Sequence, residues 1–346
     1  MKLRTVEAGR GLAAAAVVGF HANATAGYIG LGTVSWASPL QLGVDFFFVL
    51  SGFIIFYVHR DDIGHSGRAL PYLWKRFVRL FPLLWLVAGG WMVLRALTVG
   101  APAAGQIGTT LLLYPSLAET VPQVVWTLRH EMLFYLAFCV AIINRAAGMA
   151  LFGGWTLAVL VQMALIAAGR PIDGVPGMLL SSFVLDFVFG AIIAVVARRK
   201  ILDSWWPLLT GIALLAALVW VMATFAIDRT GTLDYTSTGN LFVPLIVAAF
   251  ALCLYGMICI EARVKVPGWA MLLGAASYAI YLVHTPVNSI VQHIAVRLGD
   301  GIGHAVIIAS GIAAGIVLHL LVEKRVTRAL RRLTPAERGG DKPFTR

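Results

Sequence analysis

The sequence is poor in charged residues. Of its 346 residues only 12% are Asp, Glu, Lys or Arg, while 60% are hydrophobic. Soluble globular domains carry about 25% charged residues, so a chain with half that fraction cannot cover its surface with groups that water solvates. The shortage excludes a cytosolic enzyme and a disordered chain, since both need more charge. It predicts that the lipid bilayer is the main solvent of this chain.

Cysteine is also scarce. The chain has three cysteines, each within an apolar run. An odd number with neither redox nor metal-ligand spacing excludes a disulfide-stapled secreted domain and predicts no metal site. We interpret Cys139, Cys253 and Cys259 as packing residues.

Long apolar runs dominate the remainder of the sequence. Ten of them are long enough to cross a bilayer as helices: 5–26, 39–58, 80–97, 123–143, 148–168, 176–197, 205–227, 240–260, 268–290 and 302–322. An eleventh run, 107–117, is too short to cross and is interpreted as a re-entrant or surface segment. The pattern predicts an all-α, polytopic membrane helix bundle of about ten transmembrane helices. A single integral-membrane domain, 1–322, would then be followed by a basic tail, 323–346.

Acidic residues number 16 and basic residues 27, and the basic surplus is unevenly placed. The segments that connect the predicted spans alternate between the two sides of the membrane. Those on the side of segment 1–4 hold 21 of the Lys and Arg residues, whereas those on the opposite side hold three. By the positive-inside rule, both termini are predicted to be cytoplasmic. The basic surplus is therefore explained by the membrane topology. It no longer supports an interpretation as a nucleic-acid-binding protein. The tail is interpreted as an anchor near anionic lipid.

Ionisable residues inside the predicted spans are candidates for function, because a charge in the bilayer is costly unless it has a partner. Arg10 and His21 lie on one face of the first span, about 16 Å apart along its axis. Asp45 of the second span and Glu131 of the fourth reach similar depths in the outer half of the bilayer. An alternative for the two carboxylates is a role as counter-ions of Arg10 or Arg129.

The ninth span carries a polar stripe. Ser277, Tyr281, His284 and Asn288 recur at helical spacing and therefore share one face. A hydrogen-bonded structural histidine is the simple alternative for His284. Asp186, near the middle of the sixth span, is interpreted as either a counter-ion or a proton-relay group.

A basic cluster opens the third span. Arg76 and Arg79, spaced by three, lie on adjacent turns of one helix face beside Lys75. Guanidinium groups in this arrangement suit bidentate binding of phosphate. The alternative is an ordinary positive-inside anchor.

Five segments, in this order along the chain, resemble the motifs of the membrane-bound acyltransferase-3 family, which O-acylates bacterial polysaccharides and other extracytoplasmic acceptors. They are Arg10…His21, Gly43-Val-Asp45-Phe-Phe-Phe-Val-Leu-Ser51-Gly52-Phe53, Lys75-Arg76-Phe-Val-Arg79-Leu-Phe-Pro82, Trp126-Thr127-Leu128-Arg-His-Glu131-Met-Leu-Phe134-Tyr135 and Ser277-Tyr278-Ala-Ile-Tyr281-Leu-Val-His284-Thr-Pro286. Thr127 stands where the family usually has serine. Residues 145–267 show only generic helices, and acceptor specificity is expected there.

The resemblance implies acyl-CoA, most simply acetyl-CoA, as a cytoplasmic co-substrate with no permanently bound cofactor. It implies a hydroxyl of an extracytoplasmic glycan as acceptor and the bacterial cytoplasmic membrane as location. His21 would act as general base or form an acyl-histidine, oriented by Glu131 or Asp45. Donor and substrate contacts are expected from Arg10, Arg76, Arg79, Trp126, Tyr135, Ser277, Tyr281 and His284.

Two other classes of protein are consistent with these residues. A proton-coupled secondary transporter or flippase of a polysaccharide precursor would use Asp45, Glu131 and Asp186, but we find no internal repeat or pair of broken helices. A non-catalytic component of a polysaccharide synthase would tolerate loss of His21. The partners expected of the acyltransferase are the bilayer, acyl-CoA, the glycan and proteins of polysaccharide synthesis.

Overall fold

The computed structural model describes residues 3–225 and 235–334, and in these ranges the chain forms helices and no strand. This confirms the predicted all-α fold. The α-helices are α1 (Arg4–Tyr28), α2 (Gly43–His59), α3 (Ala69–Thr98), α4 (Ala104–Leu112), α5 (Trp126–Ile143), α6 (Arg145–Ala167), α7 (Gly174–Leu179), α8 (Phe183–Arg199), α9 (Trp206–Thr224), α10 (Val243–Cys259), α11 (Gly268–Ala275), α12 (Ser277–Leu298), α13 (Asp300–Leu318) and α14 (Lys324–Arg331).

Eight helical stretches of the described chain are long and apolar enough to cross a membrane, which makes this a multi-pass membrane protein. The pair α11 and α12, bent by 69°, supplies a ninth if it is one span. The remaining predicted span corresponds to α1, whose 25 residues are more polar than the eight. Helices α2, α10, α11, α12 and α13 surround α1. Its polar residues therefore meet protein, where a charged group can find partners.

Several bounds differ from the sequence-based expectation. The third span begins earlier, so Arg76 and Arg79 lie within α3 rather than before it. Run 107–117 becomes the nine-residue α4 and a following loop, too short to cross as predicted. The expected boundary at 322 falls inside one continuous helical stretch, because a π-helical turn, His319–Glu323, joins α13 to α14. Residues 226–227 of the seventh predicted span and 335–346 of the predicted tail lie outside the described residues.

Glycines allow the central helices to approach closely. A Cβ on Gly190 of α8 would meet the carbonyl oxygen of Val49 and, at 2.7 Å, the backbone nitrogen of Phe53 on α2. From the other side, a Cβ on Gly52 of α2 would lie 2.7 Å from the Cα of Phe187 on α8. The two backbones thus touch, and no side chain fits between them. This crossing fixes α2, which carries Asp45 and Ser51, against the bundle.

Contacts between connecting segments define one end of the bundle. The Arg198 guanidinium bonds to Asp61 at 3.1 Å, and that of Arg263 bonds to Asp203 at 2.6 Å. The backbone nitrogen of Arg4 donates to Glu261 at 2.8 Å. These residues come from segments predicted to share the basic side. We call this the basic end; its cytoplasmic location remains a prediction.

A bulky residue at the α2–α8 crossing is expected to unfold the bundle locally. Gly190→Leu has to push two backbones apart, and we expect it to lower the free energy of unfolding by about 3 kcal/mol or more. Gly153→Leu on α6 is the control, because a Cβ there meets nothing within 4 Å. Thermal unfolding in detergent measures both. Equal melting temperatures for the two variants would contradict the packing described.

Candidate active site

A cavity of about 580 Å³ opens at the basic end and runs into the bundle. Residues of α1, α2, α3, α5, α12 and α14 line it. Its volume is in the range of sites that take small-molecule ligands, about 300–1,000 Å³. Five cationic side chains and one carboxylate line it: Arg10, Lys75, Arg76, Arg79, Arg331 and Glu131. The cavity is therefore complementary to a ligand with several negative charges.

Arg10 and Ser277, both predicted site residues, meet in this cavity. The Arg10 guanidinium donates to Ser277 Oγ at 3.0 Å and to Glu7 Oε2 at 3.2 Å. Glu7 lies one turn earlier on α1, so the helix supplies the counter-ion of its own arginine. The alternative that Asp45 or Glu131 neutralises Arg10 has no support in these bonds.

Arg79 is neutralised by a residue that sequence reasoning assigned to the tail. Its Nη1 donates to Glu323 Oε1 at 3.0 Å, and Glu323 also accepts from His319 Nδ1 at 2.6 Å. The Arg79 guanidinium lies over the Tyr278 ring, 4.7 Å from its centre. Glu323 stands 244 positions from Arg79 along the chain, and no local pattern marks their meeting.

Arg76 has no carboxylate partner among the described residues, unlike Arg10 and Arg79. Its guanidinium lies 5.7 Å from the centre of the Tyr72 ring and 5.5 Å from that of Tyr135, where aromatic faces attract the cation. Its Nε is buried without a hydrogen-bond partner within residues 3–225 and 235–334. Arg76 therefore keeps donors available for an anion.

His59 supports Arg76 from the side of α2. Its Nδ1 donates to Asp62 Oδ2 at 2.7 Å. In the neutral ring this leaves Nε2 as an acceptor, and Arg76 Nη2 lies 3.5 Å from it. Sequence reasoning missed His59, whose only signal was its place beside the basic segment.

Glu131 lies in the cavity, but not beside His21. Its Oε1 accepts hydrogen bonds from Ser51 Oγ at 3.1 Å and from the Tyr135 hydroxyl. Glu131 forms no hydrogen bond with His21 in the part of the chain that the structure describes. The expected orientation of His21 by Glu131 is therefore not found. Glu131 instead joins α2 to α5 across the cavity.

The inner end of the cavity is closed by side chains of α2, α5 and α12. The Tyr281 hydroxyl lies 2.8 Å from Thr127 Oγ1 and donates to the Val124 carbonyl at 3.1 Å. The Phe47 ring packs edge-on against the Tyr281 ring, with 6.2 Å between centres. We call Phe47, Thr127 and Tyr281 the inner layer. It separates the cation-lined part of the cavity from the residues beyond.

His21 and His284 lie together beyond the inner layer. Their ring centres are 5.1 Å apart, and the His284 ring is 5.9 Å from that of Tyr281. His21 is not among the residues that line the cavity, although Arg10 of the same helix is. Arg10 and His21 both meet residues of α12, as expected of one face of α1, but the cavity that Arg10 lines does not extend to His21.

The tautomer of His284 follows from its backbone contact. His284 is fully buried, and its Nδ1 donates to the Ile280 carbonyl at 3.0 Å, because a carbonyl oxygen only accepts. Nε2 is then an acceptor in the neutral ring, with no partner in the described chain. Both amide atoms of Asn288, one turn further along the polar stripe, also lack partners there. Buried polar atoms without partners suit a polar ligand or water.

Three other predicted residues lie outside the cavity. Asp45 is buried on α2, and Asp186 is buried on α8. Trp126 packs against the ring of Phe183, with 5.5 Å between centres. None of the three lines the cavity.

Arg129 is also not paired with the carboxylate of Glu131. It donates to the carbonyls of Ser116 and of Ala118, the latter at 3.2 Å. Arg129 is completely buried and thereby ties the loop after α4 to α5. Backbone carbonyls, and not Glu131, accept these hydrogen bonds of Arg129. The alternative that Glu131 is the counter-ion of Arg129 is therefore not supported.

The sequence and its relatives identify the class of protein. Residues 3–322 match the acyltransferase-3 family, described as an acyltransferase domain. The chain is also 32% identical over 308 residues to the exopolysaccharide production protein ExoZ of Rhizobium meliloti (strain 1021), a match that covers 83% of this chain and 89% of that protein. No solved structure matches the chain. The chain therefore belongs to the acyltransferase-3 family and is a membrane-bound acyltransferase.

Thiol labelling tests whether the cavity is open as far as Ser51. A cysteine at this position faces the cavity, so Ser51→Cys is expected to react rapidly with an anionic methanethiosulfonate reagent in detergent. Ser182→Cys is the matched control, because Ser182 is buried and 3.3 Å from Asn240 Oδ1. The unaltered protein is the blank, since its three cysteines are buried. Equal labelling of the two variants would remove the cavity as a ligand path.

Proposed function

We propose that this acyltransferase moves an acyl group, most simply acetyl, from acyl-CoA to a hydroxyl of an extracytoplasmic polysaccharide. The proposal that acyl-CoA is the donor rests on the cavity, which is lined by five cationic side chains and one carboxylate. The polysaccharide is supported by the relative ExoZ, an exopolysaccharide production protein. The proposed location is the bacterial cytoplasmic membrane, with the basic end in the cytoplasm, beside other proteins of polysaccharide synthesis.

The donor enters at the basic end in this proposal. Coenzyme A carries phosphate groups at one end and the thioester at the other. Arg76 has donors without partners and offers the planar fork that suits phosphate oxygens. Arg10 lies further in, six residues and about 9 Å along α1 from Arg4 at the basic end. The thioester end of the donor would then point towards the inner layer.

His21 is the proposed general base. Its neutral imidazole takes the proton of the acceptor hydroxyl while the oxygen attacks the thioester carbonyl. The tetrahedral intermediate collapses, the carbon–sulfur bond breaks, and the imidazolium returns the proton to the leaving thiolate. The products are the ester and coenzyme A. An acyl-histidine intermediate is the other route through the same residue.

His284 is proposed to hold the acceptor beside His21. Its Nε2 is a buried acceptor without a partner in the described chain, and its ring is 5.1 Å from that of His21. A sugar hydroxyl can donate to such a nitrogen. Glu131, predicted to orient His21, makes no bond with it in the described chain and is proposed to position the donor arm through Ser51 and Tyr135. The orienting role of Asp45 stays a prediction.

The inner layer has to move during the reaction. Tyr281 separates the cavity from His284 and His21, so a thioester that reaches His21 displaces the Tyr281 ring or passes beside it. Before the acceptor arrives, the closed layer keeps water from the acceptor side away from the bound thioester. Exclusion of water limits hydrolysis of the thioester.

Loss of the His21 imidazole is expected to abolish acylation. His21→Ala removes the proposed base and is expected to lower transfer by at least about 100-fold, as is typical of a lost general base. His293→Ala on α12 is the control, because His293 is exposed. The measurement is mass spectrometry of surface glycans from cells with each variant, with membrane content checked by immunoblot. Full acylation in His21→Ala cells would remove His21 from the mechanism.

The two arginines of α3 are expected to contribute unequally to donor binding. Arg76→Ala should raise the apparent KM for acetyl-CoA by about tenfold, the loss expected for one charged hydrogen-bonding group. Arg79→Ala should raise it less, because Glu323 already holds that guanidinium. Initial rates against donor concentration give both values. An unchanged KM in the double variant would reject phosphate binding by α3.

A further inference from the structure

The C-terminal helix contributes to the cavity, although it lies beyond the region that the family shares. The family match ends at residue 322, and α14 begins at Lys324. Arg331, the last residue of α14, and Thr334 line the same cavity as Arg76 and Arg10. The sequence alone assigned this segment to a lipid-facing anchor. The structure places its end at the mouth of the cavity.

A covalent connection and two hydrogen bonds hold α14 over the mouth of the cavity. The π-helical turn His319–Glu323 connects it to α13 without a break. Within that turn, Glu323 bonds to Arg79 of α3 at 3.0 Å. At the other end of α14, the indole nitrogen of Trp74 donates to the Leu330 carbonyl at 3.3 Å. Arg331 is thereby fixed opposite the basic start of α3.

The described residues do not pair every cation of the cavity with a carboxylate. Deeper in the cavity, Arg10 is paired with Glu7 and Arg79 with Glu323. Lys75 and Arg331, which line the mouth, have no ion pair within residues 3–225 and 235–334. Cations that converge without a carboxylate repel one another, and a bound anion relieves that repulsion. The mouth is therefore suited to a phosphate.

We propose that Arg331 of the C-terminal helix, together with Lys75, binds a phosphate group of the acyl donor. The inference rests on the proposed function, because it takes the donor to be acyl-CoA. It adds a binding residue from outside the family region and gives α14 a role in substrate capture. Arg325, Arg328 and Arg332 of the same segment do not line the cavity.

A phosphate at this position has two possible sources. One is the donor, and the other is the headgroup of an anionic lipid, because basic segments near a membrane surface also attract such lipids. The sources differ in how the affinity depends on the membrane. Donor binding persists in a neutral bilayer, whereas lipid binding requires anionic lipid.

Calorimetric titration of coenzyme A tests the proposal without relying on turnover. The full-length protein is placed in nanodiscs of phosphatidylcholine alone, so that no anionic lipid is present. We expect Arg331→Ala to weaken coenzyme A binding by about tenfold, the loss of one charge-assisted hydrogen bond. Arg331→Lys should retain part of the affinity. Arg325→Ala removes an equal charge from the same helix, at a position that does not line the cavity, and should bind as the unaltered protein does.

Titration of a second ligand, 3′-dephospho-coenzyme A, identifies which phosphate of the donor Arg331 contacts. If Arg331 contacts the 3′-phosphate, Arg331→Ala and the unaltered protein bind 3′-dephospho-coenzyme A equally; if it contacts the diphosphate, the variant loses as much affinity for this ligand as for coenzyme A. Either result supports donor binding. Equal affinities of Arg331→Ala and Arg325→Ala for coenzyme A overturn it, as does a difference confined to nanodiscs containing phosphatidylglycerol. If coenzyme A binds through Arg331 but no acylation occurs, the proposed reaction fails and the phosphate site stands.

Discussion

A cation placed inside an apolar helix bundle needs compensation where it stands, and this requirement organises the structure. The partner that compensates each cation differs along the cavity. Arg10 takes a carboxylate from its own helix, and Arg79 takes one from the far end of the chain. Among the described residues, Arg76 meets aromatic faces and a histidine but no carboxylate. Carboxylate pairing in the described chain therefore decreases from Arg10 to Arg76, and a cation without such a partner attracts an anionic ligand.

The sequence predicted the fold class and the helices well, because both depend on signals that are local. Apolar runs of crossing length identify spans whatever lies beside them. The polar stripe Ser277–Asn288 predicted a helix face, and the face is observed because 3.6-residue periodicity is a property of one helix. The family motifs placed Arg10, His21, Ser277 and His284 in one expected site, and the structure brings Arg10 to Ser277 and His21 to His284. In each of these cases the needed information lies within about twenty residues or in a known motif.

The parts that sequence could not predict depend on contacts between distant segments. Glu323 was assigned to the basic tail, because nothing near it in the sequence indicates that Arg79 is its partner. Glu131 was expected beside His21 from its depth and from the family resemblance. Depth does not fix rotation about the helix axis, and the hydroxyls of Ser51 and Tyr135 hold the carboxylate elsewhere. Charge patterns thus reveal which residues need partners, whereas packing of the helices decides which partners they meet.

The ring of Tyr281 and its neighbour Phe47 have a consequence for the cell as well as for the reaction. The proposed reaction takes one substrate from each face of the membrane, so the protein would contain, in effect, two half-channels. Joined by water, they would conduct protons and ions down a potential worth about 2.3 kcal/mol per charge for each 100 mV. In that proposal the rings of Tyr281 and Phe47, with the Thr127 hydroxyl beside Tyr281, would separate the two half-channels. Any opening that admits an acyl group therefore has to be narrow and brief enough to leave the proton gradient intact.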